Sequence, residues 1–491
     1  MLTPPMLKSS FTPLFWVLNP KPKSQKLPSH LFAKTFFTNT TPPVRHNASL
    51  NLPTLPPASS AYIHLPFCRK RCHYCDFPIV ALGSASTQTH HDPRVSNYIH
   101  WLCREITATK VDQPASTTPL QTVYFGGGTP SLVPPAMVSS ILEALRVKFG
   151  LCEDAEISME MDPGTFDAEK MRGMMALGVN RVSLGVQAFQ EELLRACGRA
   201  HGVQEVHEAI GVVKSCGVDN WSVDLIASLP HQSCEMWEES LRLTIESQPS
   251  HVSVYDLQIE QGTKFGRLYS PGEFPMPSEA QSAEFYKMAS RMLSDANYNH
   301  YEISSYCKSG YECKHNFVYW KNEPFYAFGL GSASFVGGLR FSRPRKVNDY
   351  INFVQNLENG LVDISGGDGN THGKDTAMDV VMLSLRTAQG LDLKSFQESF
   401  GSSVVLSLLE AYKPYVESGL VVCLDEHRRT IIVDDLNNSF LYKTNTEKRV
   451  AYIRLSDPEG FLLSNELIAL AFGVIDSWKD CPPYQEAKAA T

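Results

Sequence analysis

Residues 1–60 contain no aspartate or glutamate, and the first acidic residue of the chain is Asp76. Over the same stretch stand Lys8, Lys21, Lys23, Lys26, Lys34 and Arg45, among many Ser, Thr and Pro. The compact apolar block and small-residue cleavage site of a secretory signal are missing as well. The composition predicts an organellar transit peptide over 1–60; a disordered tail with no address is the alternative. Scarce Arg with common Ser, Thr and Lys leans towards the plastid over the mitochondrion. Nowhere does an apolar run approach the roughly 20 residues that a membrane-spanning helix needs. The longer candidates, such as "SSILEAL", are short and amphipathic, which predicts a soluble chain with no transmembrane segment.

A basic surface is lacking too. The formal charge is −8, and setting aside the six cations of 1–60 leaves −14 on the body. Phosphate contacts need cations, so generic nucleic-acid binding is excluded. Twelve cysteines are present, nine of them scattered: Cys103, Cys152, Cys197, Cys216, Cys234, Cys307, Cys313, Cys423 and Cys481. Most of these sit in apolar or helical contexts, as small buried hydrophobes do, and do not form a secreted disulfide framework.

What the 491 residues do have is enough apolar content, 43%, for more than one core. From Ala61 the pattern alternates between strand and helix. "AYIHL" and "TVYF" read as strands, and "PPAMVSSILEALRVKFG" as a helix that opens on Pro and closes on Gly. "EISMEMDP", "RVSLGVQ", "WSVDLIASLP" and "HVSVYDLQIE" follow as strands with helical segments between them, and "HYEISSY" as a further strand. Such alternation predicts an α/β fold, a full or partial β/α barrel with active residues at the carboxyl ends of its strands. From about Asn370 helices dominate, with "LVVCLD" and "TIIVDD" as two strands, which predicts a small α+β domain of winged-helix type. Its acidic charge suits a lid or partner surface better than a DNA reader. The expected division is 1–60 leader, 61–310 barrel, 311–370 bridging segment and 371–491 C-terminal domain.

Cys68, Cys72 and Cys75 stand in "FCRKRCHYCDF" with C-x3-C-x2-C spacing and no fourth cysteine. Zinc would recruit another ligand, with His64 and His73 as candidates. An iron–sulfur cubane held by three thiolates would keep one iron open for a chelating ligand.

C-x3-C-x2-C after the first strand, with "GGGTP" after the second, resembles the radical S-adenosylmethionine (SAM) superfamily. Its fold is a partial (β/α)6 barrel. "YIHLPFCRKRCHYCDF", "VYFGGGTPS", "ISMEMDPGT", "RVSLGVQAF" and "SVDLIASLP" are similar to the oxygen-independent coproporphyrinogen III oxidase-like group, from about Ala61 to about Phe472. The resemblance implies a [4Fe-4S] cluster on Cys68, Cys72 and Cys75. It implies SAM beside Tyr62, Tyr74, Gly128, Thr129, Glu160, Gln187, Arg199 and Asp224, and an electron donor to the cluster. The oxidases carry a fourth cysteine two residues after the third, where this chain has Phe77. They also carry an N-terminal catalytic segment where this chain has its acid-free leader. Both departures, and "HNFVYW" (315–320), match the HemW-type heme chaperones of the group. That branch implies heme, with His315 as its candidate residue, and a heme-accepting protein as partner. The competing expectations are porphyrinogen oxidation or another radical SAM reaction, and for His315 and Trp320 a packing role between the two domains. The sequence leaves monomer and dimer open.

Overall fold

The computed structural model describes residues 56–83, 92–110, 118–362, 373–431 and 450–478. The expected leader therefore lies almost entirely outside the described residues. No described helix is long and apolar enough to cross a membrane.

Six parallel strands form the frame: β1 (Ser60–Leu65), β2 (Leu120–Gly127), β3 (Leu151–Met161), β4 (Arg181–Gln187), β5 (Trp221–Ala227) and β6 (His251–Asp256). Each pairs with the next in parallel register, from Ala61 opposite Val123 to Asp224 opposite Ser253. Helices cross between them: α1 (Pro93–Ala108), α2 (Pro135–Phe149), α3 (Ala168–Ala176), α4 (Val203–Ser215) and α5 (Cys234–Ser247), and α6 (Glu279–Asp295) follows β6. Local chemistry sets their ends. The Asp92 carboxylate accepts the Arg94 N–H at the start of α1, and Pro135 opens α2 while Gly150, at φ +76°, closes it. The apolar faces of strands and helices meet in one continuous core, in which Val123, Phe125, Leu184, Val223 and Trp237 are buried.

Both edges depart from a simple strand–helix repeat. "HYEISSY" does not add another parallel strand. It breaks into β7 (Asn299–Glu302) and β8 (Ser305–Cys307), an antiparallel hairpin whose second strand runs antiparallel to β6. The turn is held by the buried Glu302 carboxylate, which accepts the Ser304 N–H at 3.2 Å. At the other edge β9 (Tyr326–Phe328), from the expected bridging segment, runs parallel to β1. The sheet order β9-β1-β2-β3-β4-β5-β6-β8-β7 leaves the two edges unpaired with each other, an open barrel.

The C-terminal part packs the helices Gly373–Ser384, Leu393–Phe400, Ser402–Glu417 and Ser464–Ser477 around a three-stranded antiparallel sheet. Val421–Leu424 is the strand expected from "LVVCLD", and its neighbour is Tyr452–Leu455. Of "TIIVDD", Thr430 makes one bridge to Leu424, and the residues from 432 lie outside those described. This part is tied to the barrel through Tyr286 of α6, which enters its core, and through His300, whose Nδ1 lies 2.8 Å from an Asp457 carboxylate oxygen.

Candidate functional site

The carboxyl ends of β1 to β6 open onto a cavity of about 310 Å3. Cys68, Cys72 and Cys75 line it together with Tyr74, Phe77, Gly128, Thr129, Glu160, Gln187, Arg199 and Asp224. Residues far apart in the sequence converge there because most end a strand or lie in the segment after it, while Asp224 enters from the middle of β5. Two expected residues stand elsewhere. Tyr62 is buried beneath the cavity, stacked on Tyr124 with ring centres 6.1 Å apart. His315 lies deeper still.

The cysteine loop leaves β1 at Leu65 and is held against "GGGTP". Gly127 adopts φ +115°, and a Cβ there would lie 2.6 Å from the His64 ring. A Cβ on Gly128 would come within 2.7 Å of the Phe67 carbonyl. These two glycines let the second strand end dock on the loop; a side chain at either would push the cysteines off their seat. Thr129 Oγ1 donates to Cys68 Sγ at 3.7 Å, and Arg199 Nη1 lies 3.4 Å from Cys72 Sγ. Burial pushes the Cys68 thiol up to about 12 and the Cys75 thiol up to about 11. A metal bound by such thiols displaces their protons.

The two candidate zinc partners are engaged elsewhere. The ring of His64 sits between the Tyr62 hydroxyl at 3.2 Å and the Pro78 carbonyl at 3.1 Å. His73 Nδ1 lies 2.8 Å from the Ala196 carbonyl and its Nε2 3.0 Å from Lys264 Nζ. Neither histidine is placed to complete a zinc site, and the thiols on the cavity are Cys68, Cys72 and Cys75, the three that a cubane with one open iron would use.

Carboxylates line the opposite wall. Glu160 accepts the Gly127 N–H at 3.0 Å and the Tyr124 hydroxyl at 3.1 Å. Burial, with the charge of Asp224 second, raises its pKa to about 7. Asp224 is raised too, by burial, against hydrogen bonds from Ser183 at 2.8 Å and Ser222 at 3.1 Å. Asp162 behaves oppositely: burial would raise it, but Arg199, His201 and Arg69 hold it down at about 2. Arg199 spans the site, touching Asp162, Cys72 and the Tyr74 hydroxyl, the last at 3.1 Å. Asp162 was not among the expected residues, although "MEMDP" displays it two places after Glu160, at the strand end where functional groups collect.

A buried Glu held near 7 has a consequence for stability. Its folded pKa lies above the unfolded one, so the folded state holds the extra proton between pH 4.5 and about 7. Stability is full below that window and falls as pH rises through it. Glu160→Gln is expected to flatten this decline and to leave the apoprotein more stable than the parent at pH 8. Each tenfold difference in proton affinity between folded and unfolded chain is worth about 1.4 kcal/mol, and urea titrations at pH 5, 6.5 and 8 measure it.

"HNFVYW" forms the short helix α7 (Lys314–Trp320), which packs against β2. His315 is 0% exposed and reaches Thr122, near the amino end of β2, away from the cavity. Its Nδ1 lies 2.7 Å from Thr122 Oγ1 and its Nε2 2.8 Å from the Tyr319 hydroxyl. The ring has neither exposed surface nor a free nitrogen to offer an iron in this conformation. It stacks on Tyr124 with centres 5.2 Å apart, and Tyr124 in turn donates to Glu160. Trp320 packs with Ile303 and Leu383, joining barrel to C-terminal helix.

Residues 62–244 match the radical SAM superfamily, and residues 372–429 match the HemN C-terminal domain. A heme chaperone HemW of Synechocystis sp. is 37% identical over 421 residues, covering 85% of this chain and 97% of that one. The chain belongs to the HemW family. The HemW of Bacillus subtilis is 32% identical over 74% of this chain and 92% of its own length. Among solved structures, the coproporphyrinogen III oxidase HemN of Escherichia coli superposes with a TM-score of 0.65 at 20% identity, covering 87% of this chain and 91% of that one. That likeness extends the shared architecture across both parts of the chain.

Proposed function

We propose that this protein is a heme chaperone that holds a [4Fe-4S] cluster on Cys68, Cys72 and Cys75, binds SAM in the cavity beside them, and passes heme to an acceptor protein. The observation that carries the chaperone reading over porphyrinogen oxidation is Phe77. It lines the cavity beside the three thiols, in the place where the oxidases carry a fourth cysteine. When bound, the cluster would supply an open iron to the amine and carboxylate of SAM. Glu160 and Asp224 accept hydrogen bonds, as ribose hydroxyls or an ammonium require, and Arg199 fixes Asp162 and Tyr74 around them. The family supports the heme role: HemW chaperones match nearly full-length. Tyr62 supports Tyr124 from below and is not proposed to touch SAM. His315 is proposed as a packing residue that fixes Tyr124, and through it Glu160, and not as the heme ligand. An organellar address, plastid in preference to mitochondrion, rests on the leader's composition. A relative in Danio rerio, 29% identical over 289 residues, carries a mitochondrial name.

One reconstituted sample tests the reading. Hemin is expected to give a Soret band, and coproporphyrinogen III with SAM and a reductant under anaerobic conditions is expected to stay unconverted. Turnover of the porphyrinogen, or failure to take up hemin, overturns the chaperone role. His315→Ala is expected to keep the Soret band and to weaken SAM binding several-fold in calorimetry. A lost Soret band with SAM affinity intact would return His315 to the heme.

A further inference from the structure

The cysteine loop is a wall with two faces. Its inner face borders the cavity already described. Its outer face borders a second, separate cavity of about 450 Å3, and Cys72 and Cys75 line both while Cys68 lines only the inner one. The outer cavity is ringed by Arg71, Lys264, Arg267 and Arg345, against a single lining carboxylate, Asp76. All four cations are exposed. On a body of net charge −14, after the six cations of 1–60 are set aside from −8, four cations around one opening are a local inversion of sign. Three of the cations are also held in place. Arg71 donates to the Cys75 and Phe77 carbonyls at 3.1 and 2.9 Å, Lys264 Nζ lies 3.0 Å from His73 Nε2, and Arg345 donates to the Asp76 carbonyl at 2.6 Å.

We propose that this basic outer cavity docks the acidic face of a low-potential one-electron carrier protein, which reduces the cluster from outside while SAM occupies the inner face. The inference rests on the reading of Cys68, Cys72 and Cys75 as cluster ligands. Cys72 and Cys75 line both cavities, so a carrier seated in the outer one would face two of the residues that would hold the cluster. In the transfer one electron leaves the reduced carrier, which becomes oxidised by one unit, and the cluster goes from the 2+ to the 1+ state. No atom or proton moves. Heme propionates would also seek cations, but no Phe, Tyr, Trp or aliphatic side chain lines the outer cavity, and its one ring, His73, has both nitrogens engaged by the Ala196 carbonyl and Lys264, so the faces of a porphyrin find little to pack on. A charged protein surface needs no such wall, and opposite charge speeds its encounter.

The probe is a reduced plant-type [2Fe-2S] ferredoxin, an acidic carrier near −400 mV, mixed with the reconstituted protein in an anaerobic stopped-flow. Iron and sulfide analysis of every sample comes first, so that failure to hold a cluster is seen separately from failure to dock. The double variant Lys264→Glu/Arg267→Glu is expected to slow ferredoxin-driven cluster reduction at least tenfold at low ionic strength, with the difference shrinking at high salt. Lys264→Arg/Arg267→Lys is expected to keep the parent rate. So is Lys413→Glu, a charge reversal on an exposed position of the C-terminal part. Dithionite is expected to reduce all of them equally. An unchanged ferredoxin rate in the double variant overturns the proposal, as does a loss of hemin affinity there with the ferredoxin rate intact.

Discussion

Arg343→Ala is expected to cost about 3–5 kcal/mol of folding stability, because it breaks a buried ion pair from one side. Arg343 and Glu105 form an ion pair at 2.8 Å with side chains 1% and 0% exposed. The same carboxylate accepts the Tyr350 hydroxyl at 2.6 Å and the Gly329 N–H at 2.8 Å. Removing the guanidinium leaves a carboxylate in the core with two neutral donors and no counter-charge. The comparison is the double variant Arg343→Met/Glu105→Gln, which removes both charges and is expected to recover most of the loss, because an apolar or neutral replacement of a whole buried pair is tolerated where half a pair is not. Urea unfolding gives both values. A loss below about 1 kcal/mol in Arg343→Ala would show that water or a shifted neighbour already serves Glu105.

The second large effect falls on the metal. Cys72→Ser is expected to reduce iron after anaerobic reconstitution from about four per chain to near zero, with the cluster's visible absorption lost and the far-ultraviolet circular dichroism unchanged. Cys72 shares its sulfur environment with Arg199 at 3.4 Å and with no other cysteine able to replace it in the cavity. Cys197, whose carbonyl accepts the His73 N–H of the loop at 2.8 Å, is 1% exposed and packed with Leu193 and Leu194. Cys197→Ser is accordingly expected to leave the iron content intact. Full cluster occupancy in Cys72→Ser would remove the ligand assignment and with it the SAM site.

How much of this could be read from the sequence depended on distance along the chain. The six parallel strands announced themselves because each apolar run is bounded by its own helix and its own polar strand end. The three thiols, "GGGTP" and Gln187 could be placed on one opening because strand ends of a parallel sheet all point the same way, whereas Glu160, Arg199 and Asp224 were assigned to it only through the family resemblance. Local signals gave no warning of β9: three residues, "YAF", flanked by Phe and Gly, become a strand only because β1 offers an unpaired edge. The Glu105–Arg343 pair and the ring of Arg71, Lys264, Arg267 and Arg345 are likewise products of tertiary closure. His315 was open to two readings. An imidazole among aromatics suits a porphyrin, and it equally suits a barrel floor, where Thr122 and Tyr319 take both nitrogens.

The pairing of β9 with β1 also sets an order of events. Ala61 and Tyr326 are neighbours in the sheet yet roughly 265 residues apart in the chain, the kind of long loop whose closure is slow. During synthesis the cysteine loop emerges near the beginning, while the strand that seals its edge, and Arg345 that grips Asp76, emerge far later. The thiols thus spend most of the chain's elongation without their final scaffold. A chain truncated before Tyr326 is expected to present the three cysteines on an unsealed sheet edge and to retain less iron after anaerobic reconstitution than the full chain.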